Sequence, residues 1–396
     1  MRALRIAGLL VAALLLLDLI VYLVLPPLKN PIIGLRGLFV ADTTTGYRLA
    51  PSWSGLYDDG VVQGRIRTNR LGDRDEEPDR EDPPDLLLLG DSFAFGSLLD
   101  QDETIDRWIE TLSEGRVAAY NRGVPGYGPP AIREHLRRCP IAPERAALYL
   151  FYNNDLRDDN LLPDMGLTAV DGFMASRIDR GGRTLDEAEI RRRIEERIAP
   201  STGRFLESWT RLRNLRRLTG LLGMKERIRT LFEPERKLMS HWGGYGFSDR
   251  NVEAAVDATR DMAGIARDRG FRFRVVLVPT YGEVRAGRYA ALTESYASGL
   301  RDAGIPTVRL LGRLEPGDYY SHNLHFRPSG ARKTARTILE TIRRPSRNLN
   351  GVDAFPGWNF PPQSLVNCQV APTGAPRRAT APPDFGMDPA SVIVDN

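Results

Sequence analysis

A serine directly after a short apolar run is the first residue whose position suits covalent chemistry. Leu86 to Leu89 form a continuous apolar run that ends at Gly90, Asp91 and Ser92 follow at once, and Gly96 comes four residues after the serine. Such a run is typical of a strand buried on both faces of a parallel sheet. Because open α/β sheets place active sites at the carboxyl ends of their strands, the pattern predicts that Ser92 is a nucleophile at such an edge.

A serine hydroxyl near neutral pH needs a neighbouring base, and few histidines are available to supply one. The sequence contains 4 histidines. His135 falls in the middle of a charged helical stretch, and His241 lies beside Trp242 after a long charged segment. His322 and His325 are therefore the leading candidates for the base, and the predicted chemistry is acyl transfer through a serine nucleophile.

Several segments resemble the sequence blocks of the SGNH (GDSL-like) hydrolases, especially those of the membrane-anchored bacterial branch of that superfamily. The resemblance extends from about Asn69 to Glu340. The matching segments are Asn69-Arg70-Leu71-Gly72-Asp73-Arg74-Asp75, Gly90-Asp91-Ser92-Phe93, Asn121-Arg122-Gly123-Val124-Pro125-Gly126-Tyr127-Gly128, Tyr152-Asn153-Asn154-Asp155, and His322-Asn323-Leu324-His325-Phe326-Arg327-Pro328-Ser329-Gly330. A chain similar to this family is expected to have a three-layer α/β/α fold.

The resemblance also implies a role for each part of the site. Ser92 takes the position of the nucleophile and His325 that of the base. Gly126 is placed as a backbone N–H donor to the oxyanion, and Asn154 as its side-chain donor. Asn153 is the alternative if the third block is shifted by one residue.

The sequence departs from the family at the residue that orients the histidine. The family usually has an acid two or three residues before the catalytic histidine, and here those positions hold Asn323 and His322. An amide or a backbone carbonyl can accept the imidazole N–H, but it cannot stabilise the imidazolium by charge. The sequence therefore predicts a Ser-His dyad oriented by Asn323, by a backbone carbonyl or by the more distant Asp318, with impaired catalysis as the alternative.

Apolar runs and helical patterns alternate along the chain, which predicts an α/β fold built on a parallel sheet. The expected strands are 86–89, 146–152, 271–278 and, more weakly, 306–311, and the expected helices are 103–112, 130–138, 252–269 and 289–303. The domain boundaries follow: a lead-in at 29–84, a catalytic domain at 85–343 with a helical insertion at 161–250, and a Pro/Gly-rich, disordered tail at 344–396. Helical spacing in the insertion is clearest at 185–198 and 205–231.

The amino-terminal segment predicts an uncleaved membrane anchor at residues 1–28. Arg2 and Arg5 precede an apolar stretch from Ile6 to Leu25 that only Asp18 interrupts. About 20 apolar residues cover the ~30 Å hydrocarbon core, and the arginines favour a cytoplasmic amino terminus. We expect a single-pass protein of the cell inner membrane whose catalytic domain is periplasmic or otherwise extracytoplasmic. No small-residue cleavage pattern follows the apolar stretch, which argues against a secretory signal peptide.

Charge and cysteine content exclude two other classes of function. The net charge is +4 over 396 residues, and acidic residues are interspersed with the basic ones, so no concentrated basic face for nucleic acid is expected. Two cysteines cannot form a cysteine-rich metal site. We predict no metal and no cofactor.

The predicted activity is hydrolysis of esters, mainly O-acetyl esters, through a Ser92 acyl-enzyme. The expected substrate is an acylated small molecule or glycan. Two alternatives remain open: an O-acetyltransferase for a cell-surface polysaccharide, since alginate-acetylating proteins resemble this arrangement of anchor and SGNH domain, and a catalytically impaired glycan-binding or scaffold protein.

Overall fold

The computed structural model describes residues 8–13, 15–17, 19–20, 33–58, 62–79, 82–156, 167–178, 183–199, 238, 249–320 and 323–343. The tail predicted at 344–396 lies outside these residues, as do His322, His241 and the helical pattern at 205–231.

Only part of the predicted anchor belongs to the described residues. Residues 8–13, 15–17 and 19–20 are helical and their side chains are exposed. Within the described residues, no helix is both long enough and apolar enough to span a membrane. The anchor stays a prediction from the sequence.

The strands of the described part are β1 (Phe39–Asp42), β2 (Gly46–Leu49), β3 (Ser54–Asp58), β4 (Gln63–Arg67), β5 (Leu86–Gly90), β6 (Ala119–Gly123), β7 (Ala146–Phe151), β8 (Leu167–Val170), β9 (Phe173–Ser176), β10 (Arg272–Leu277) and β11 (Thr307–Arg309). Its α-helices are α1 (Ser92–Phe95), α2 (Ile105–Ser113), α3 (Pro129–Arg137), α4 (Glu187–Ile198), α5 (Asp249–Asp268), α6 (Tyr281–Ala286), α7 (Ala291–Asp302) and α8 (Pro328–Arg343).

A parallel sheet forms the centre of the fold, and its strand order is β11-β10-β7-β5-β6. Every residue of β5, β6 and β7 is buried, so both faces of the sheet are covered. The helices pack in two groups: α2 packs against α8, and α5 packs against both α3 and α7. The predicted α/β fold with a parallel sheet is confirmed.

The strand order also locates a crevice. The chain runs from β5 to β6 on one side and then crosses to β7 on the other, so the order of the strands reverses at β5. In open α/β sheets, ligands bind outside the carboxyl ends of the strands at such a reversal. Residues that follow β5 and β7 are therefore expected to face the same crevice.

Three parts of the chain differ from the sequence-based expectation. Strand β6 was not predicted, and the lead-in contains two antiparallel hairpins, β1–β2 and β3–β4. The segment predicted as a helical insertion begins with a third hairpin, β8–β9, before helix α4. Hairpin β8–β9 packs against β1 and β2, so the lead-in and the insertion share one apolar cluster with the sheet.

Candidate active site

The turn after β5 presents Ser92 at the edge of the sheet. Helix α1 begins at Ser92 itself, and the Asp91 side chain caps it by accepting the Phe93 N–H at 2.9 Å. Gly90 has a φ of +148°, and a Cβ at this position would lie 2.8 Å from the carbonyl oxygen of Leu150 on β7. A side chain at position 90 would therefore push the strands apart, which explains the glycine before the nucleophile.

His325 is brought to the same edge by the loop that precedes α8. Its Nε2 lies 2.8 Å from the Ser92 Oγ, although the two residues are 233 positions apart in the chain. The Phe93 ring stacks on the imidazole at a centroid distance of 5.0 Å, which fixes the plane of the histidine. At this distance the imidazole can accept the proton of the serine hydroxyl.

The other nitrogen of His325 faces Asn323. The Asn323 Oδ1 lies within hydrogen-bond distance of the His325 Nδ1. Because an amide oxygen only accepts, the proton belongs on Nδ1, and Nε2 keeps the lone pair that faces Ser92. Leu324, between the two, has a φ of +65°, a left-handed conformation that costs a leucine about 1–2 kcal/mol. The strained conformation of Leu324 brings the side chains of Asn323 and His325 into contact.

Asp318 is engaged elsewhere. Its Oδ2 accepts hydrogen bonds from the Lys333 Nζ at 2.9 Å and from the Glu315 N–H at 2.8 Å. The carboxylate thus ties a short 3₁₀ turn to helix α8. The contact to the imidazole comes from Asn323, and His322, which occupies the other position where the family usually has an acid, lies outside the described residues.

Replacing Asn323 by aspartate is expected to preserve kcat or raise it by up to about tenfold. The carboxylate would accept the same N–H and would add a negative charge opposite the imidazolium, and charge-assisted hydrogen bonds are roughly twice as strong as neutral ones. A tenfold gain corresponds to about 1.4 kcal/mol. The measurement is kcat of the wild type, Asn323→Asp and Asn323→Ala, where alanine should lower it. A large loss in Asn323→Asp would contradict the assigned orientation of the imidazole.

Asn154 lies beside the nucleophile, and Asn153 points away from it. The Asn154 Nδ2 donates to the Asp91 Oδ2 at 3.1 Å, and the same carboxylate oxygen lies 3.3 Å from the Ser92 Oγ, whose proton faces the closer His325 Nε2. The Asn153 Nδ2 instead donates to the carbonyl of Leu238 at 3.4 Å. The structure thus brings Ser92, His325, Asn323 and Asn154 together at the carboxyl ends of β5 and β7.

Asp91 is the carboxyl group next to this cluster. It is fully buried, and burial raises its pKa, while its bonds to Phe93, Asn154 and Ser92 act in the opposite direction. Asp91 therefore holds the serine and the asparagine in fixed relative positions. Asp91 belongs to the Gly90-Asp91-Ser92-Phe93 segment, but a role for its carboxylate becomes evident only from these contacts.

The segment before the first block supports the nucleophile turn from behind. Arg74 is completely buried and donates to the carbonyls of Phe95 and Gly96 at 3.1 and 2.7 Å, and to those of Arg65 and Leu99 at 3.1 and 2.7 Å. The first two carbonyls end helix α1. Desolvation lowers the pKa of Arg74 to about 10. An arginine that donates to the last carbonyls of a helix stabilises the end of that helix, which here is the turn that carries Ser92.

Two neighbours of Arg74 bind strand β6. Asp73 pairs with Arg122, with 2.8 Å between the Oδ2 and the Nη1, and Asp75 accepts the Asn121 N–H at 2.6 Å. The three consecutive charged residues 73–75 thus connect β6 to the nucleophile turn. The resemblance located this segment in the sequence, but its role becomes evident only from these long-range contacts.

No family model matches the sequence, and no curated protein is similar to it. The chain is similar to solved esterases and lipolytic proteins. A lipolytic protein of the G-D-S-L family from Desulfitobacterium hafniense is 9% identical, with 64% of this chain and 97% of that chain covered and a TM-score of 0.33. A carbohydrate acetylesterase family member from Sinorhizobium meliloti is 10% identical, with 65% and 96% covered and a TM-score of 0.33.

A third similar structure is a psychrotrophic esterase from Pseudoalteromonas sp. inhibited by monoethylphosphonate. It is 11% identical to this chain, with 65% of this chain and 95% of that chain covered and a TM-score of 0.34. Likeness at this level does not identify a substrate. The chemistry of this chain has to be inferred from the distances in its own site.

Proposed function

We propose that the chain is an SGNH-type serine esterase that acts on ester groups, mainly O-acetyl, through a Ser92 acyl-enzyme. The observation that carries the proposal is the 2.8 Å contact between the Ser92 Oγ and the His325 Nε2, with Asn323 at the other nitrogen of the ring. A hydroxyl, a base and an orienting group in this order form the arrangement that activates a serine.

The reaction begins with attack of the Ser92 Oγ on the carbonyl carbon of the ester. His325 takes the hydroxyl proton on Nε2 as the new carbon–oxygen bond forms. The Gly126 N–H and the Asn154 Nδ2 stabilise the oxyanion of the tetrahedral intermediate. When the intermediate collapses, the bond to the leaving alcohol breaks and His325 returns the proton to that oxygen. Ser92 then carries the acyl group.

The second half of the reaction differs between an esterase and a transferase only in the acceptor. Water attacks the acyl-enzyme in hydrolysis, and a sugar hydroxyl attacks it in O-acetyl transfer. In both cases His325 removes the proton of the acceptor as the new carbon–oxygen bond forms, and it returns that proton to the Ser92 Oγ when the bond between Ser92 and the acyl carbon breaks. An O-acetyltransferase for a cell-surface polysaccharide therefore uses the same site, and the acceptor has to be determined by experiment.

Labelling by a fluorophosphonate probe tests whether the site is active. We expect covalent modification of Ser92 in the wild-type protein and none in Ser92→Ala, because only an activated serine attacks the probe. A labelled peptide that contains Ser92 would support the proposal. Absence of labelling in a folded wild-type protein would instead support a catalytically impaired glycan-binding or scaffold protein.

A product assay separates hydrolysis from transfer. The protein from residue 29 onward is incubated with acetylated aryl esters, with and without oligosaccharide acceptors, and the acetyl products are quantified. Acetate alone in both conditions identifies an esterase, whereas acetylated oligosaccharide identifies a transferase.

We also propose that the amino terminus anchors the protein in the inner membrane with the catalytic domain outside the cytoplasm. Arg2, Arg5 and the apolar stretch from Ile6 to Leu25 support this topology. Reporter fusions after Lys29 test it, and alkaline phosphatase fused there is expected to be active. Activity of a reporter that works only in the cytoplasm would contradict the topology.

A further inference from the structure

The peptide group between Pro125 and Gly126 lies at the centre of a tight turn. The Tyr127 N–H donates to the Val124 carbonyl at 3.1 Å, which closes a four-residue β-turn with Pro125 and Gly126 in its centre. Gly126 has a φ of +81°, the value of a type II turn. A type I turn differs by rotation of the central peptide, which would point the Gly126 N–H to the opposite side. Proline and glycine in these positions permit both turns.

Tyr47 holds this peptide in one orientation. The Tyr47 hydroxyl, on β2, donates to the Pro125 carbonyl at 2.6 Å, across 78 positions of sequence. The Pro125 carbonyl and the Gly126 N–H belong to the same peptide group. Rotation of that group would break the bond to Tyr47, so the hydroxyl fixes the direction in which the Gly126 N–H points.

The same bond also makes the Gly126 N–H a stronger donor. A hydrogen bond accepted by an amide oxygen polarises the amide, and bonds in such chains strengthen one another by perhaps 10–30% each. Tyr47 is only 1% exposed, so its hydroxyl is held against the Pro125 carbonyl by the surrounding packing. Tyr47 thus affects both the direction and the strength of the donor.

Close packing keeps the tyrosine and the turn in contact. A Cβ at Gly126 would lie 2.7 Å from the Tyr47 hydroxyl, 3.3 Å from a Leu167 methyl carbon and 3.4 Å from the Met174 sulfur. In return, the Tyr127 hydroxyl donates to the backbone carbonyl of Tyr47. The β1–β2 hairpin and the turn are therefore joined by two tyrosines in opposite directions.

We propose that Tyr47 is a positioning residue for the oxyanion donor. Its hydroxyl selects the type II orientation of the Pro125–Gly126 peptide and polarises the N–H of that peptide. This inference rests on the proposed function, because Gly126 is a donor only if Ser92 forms a tetrahedral intermediate. Tyr47 acts through Gly126 and does not contact the substrate. The lead-in hairpin β1–β2 is accordingly part of the catalytic unit.

The test is the steady-state kinetics of Tyr47→Phe on an acetylated aryl ester. Loss of a complete oxyanion donor costs about 10²–10³ in kcat, and a donor that is misdirected for part of the time should cost about tenfold, with little change in KM. The rate of phosphonylation of Ser92 by the fluorophosphonate should fall in parallel. Phenylalanine keeps the ring that packs edge-on against Phe39 and Tyr127, so the variant should fold.

Two control variants separate this role from a general loss of stability. Tyr296→Phe removes another buried hydroxyl, which lies 2.7 Å from the Thr259 Oγ1 between helices, and it should leave kcat unchanged at a similar cost in melting temperature. Tyr127→Phe loosens the same hairpin but keeps the bond to Pro125, and it should lower kcat less than Tyr47→Phe.

The outcomes distinguish the inference from the proposed function. A kcat for Tyr47→Phe equal to that of Tyr296→Phe, or equal losses in Tyr47→Phe and Tyr127→Phe, would overturn the role of Tyr47 while the esterase assignment stands. A wild-type protein that neither turns over esters nor reacts with the probe would overturn the proposed function, and the inference with it.

Discussion

Replacement of His325 by alanine is expected to lower kcat by about 10⁴-fold or more, the range seen when a serine hydrolase loses its base. The His325 Nε2 lies 2.8 Å from the Ser92 Oγ, so the imidazole is the group in position to take the proton. Without it the hydroxyl stays protonated near neutral pH and is a weak nucleophile. The measurement is kcat on an acetylated aryl ester, with circular dichroism to monitor folding.

Rescue by added imidazole distinguishes loss of the base from loss of structure. The His325 ring stacks on Phe93, so its removal leaves a flat space beside Ser92 with an aromatic wall. Free imidazole that enters this space should restore part of the activity of His325→Ala, and a misfolded site would not respond.

His322→Ala is the matched control, because His322 is the histidine nearest to His325 in the sequence. We expect it to retain most of the wild-type kcat. An inactive His322→Ala together with an active His325→Ala would show that the base has been assigned to the wrong histidine and that the fifth block has to be placed three residues earlier.

The sheet could be predicted where its strands consist of apolar residues. Strands β5 and β7 are buried on both faces and are composed largely of Leu, Ala and aromatic residues, so continuous apolar runs identified them. Strand β6 is equally buried but contains Asn121 and Arg122. The Asn121 amide donates to Asp106 and the Arg122 guanidinium to Asp73, 15 and 49 positions away in the sequence, and a local pattern cannot indicate such partners.

The difference between local sequence patterns and long-range contacts also applies to the site. Ser92, His325 and Asn154 stand in short sequence blocks, and Asn323 was considered because of its spacing from the histidine. Tyr47 stands in no block, and its relation to Gly126 arises only when hairpin β1–β2 packs on the turn. Local sequence thus indicates the candidate reacting groups, and the groups that hold them in place depend on tertiary packing.

Asn154→Ala is expected to lower kcat by about 10²–10³, the usual cost of losing one oxyanion donor, with a smaller change in KM. Asn154 is buried, with 9% of its surface exposed, and its Nδ2 reaches the Asp91 carboxylate oxygen that lies 3.3 Å from the Ser92 Oγ. In the proposed reaction this amide donates to the oxygen that becomes negative in the tetrahedral intermediate. Because that charge develops after the substrate is bound, the loss falls on kcat.

Asn153→Ala provides the comparison within the same turn. Its amide donates to the Leu238 carbonyl, away from Ser92, so we expect a lower melting temperature and a kcat less affected than in Asn154→Ala. Asn154→Ala also removes a donor to the buried Asp91, so the melting temperatures of both variants have to be measured beside their kinetics. If Asn153→Ala lost more of its kcat than Asn154→Ala at equal stability, the oxyanion donor would be Asn153, and the third block would be shifted by one residue.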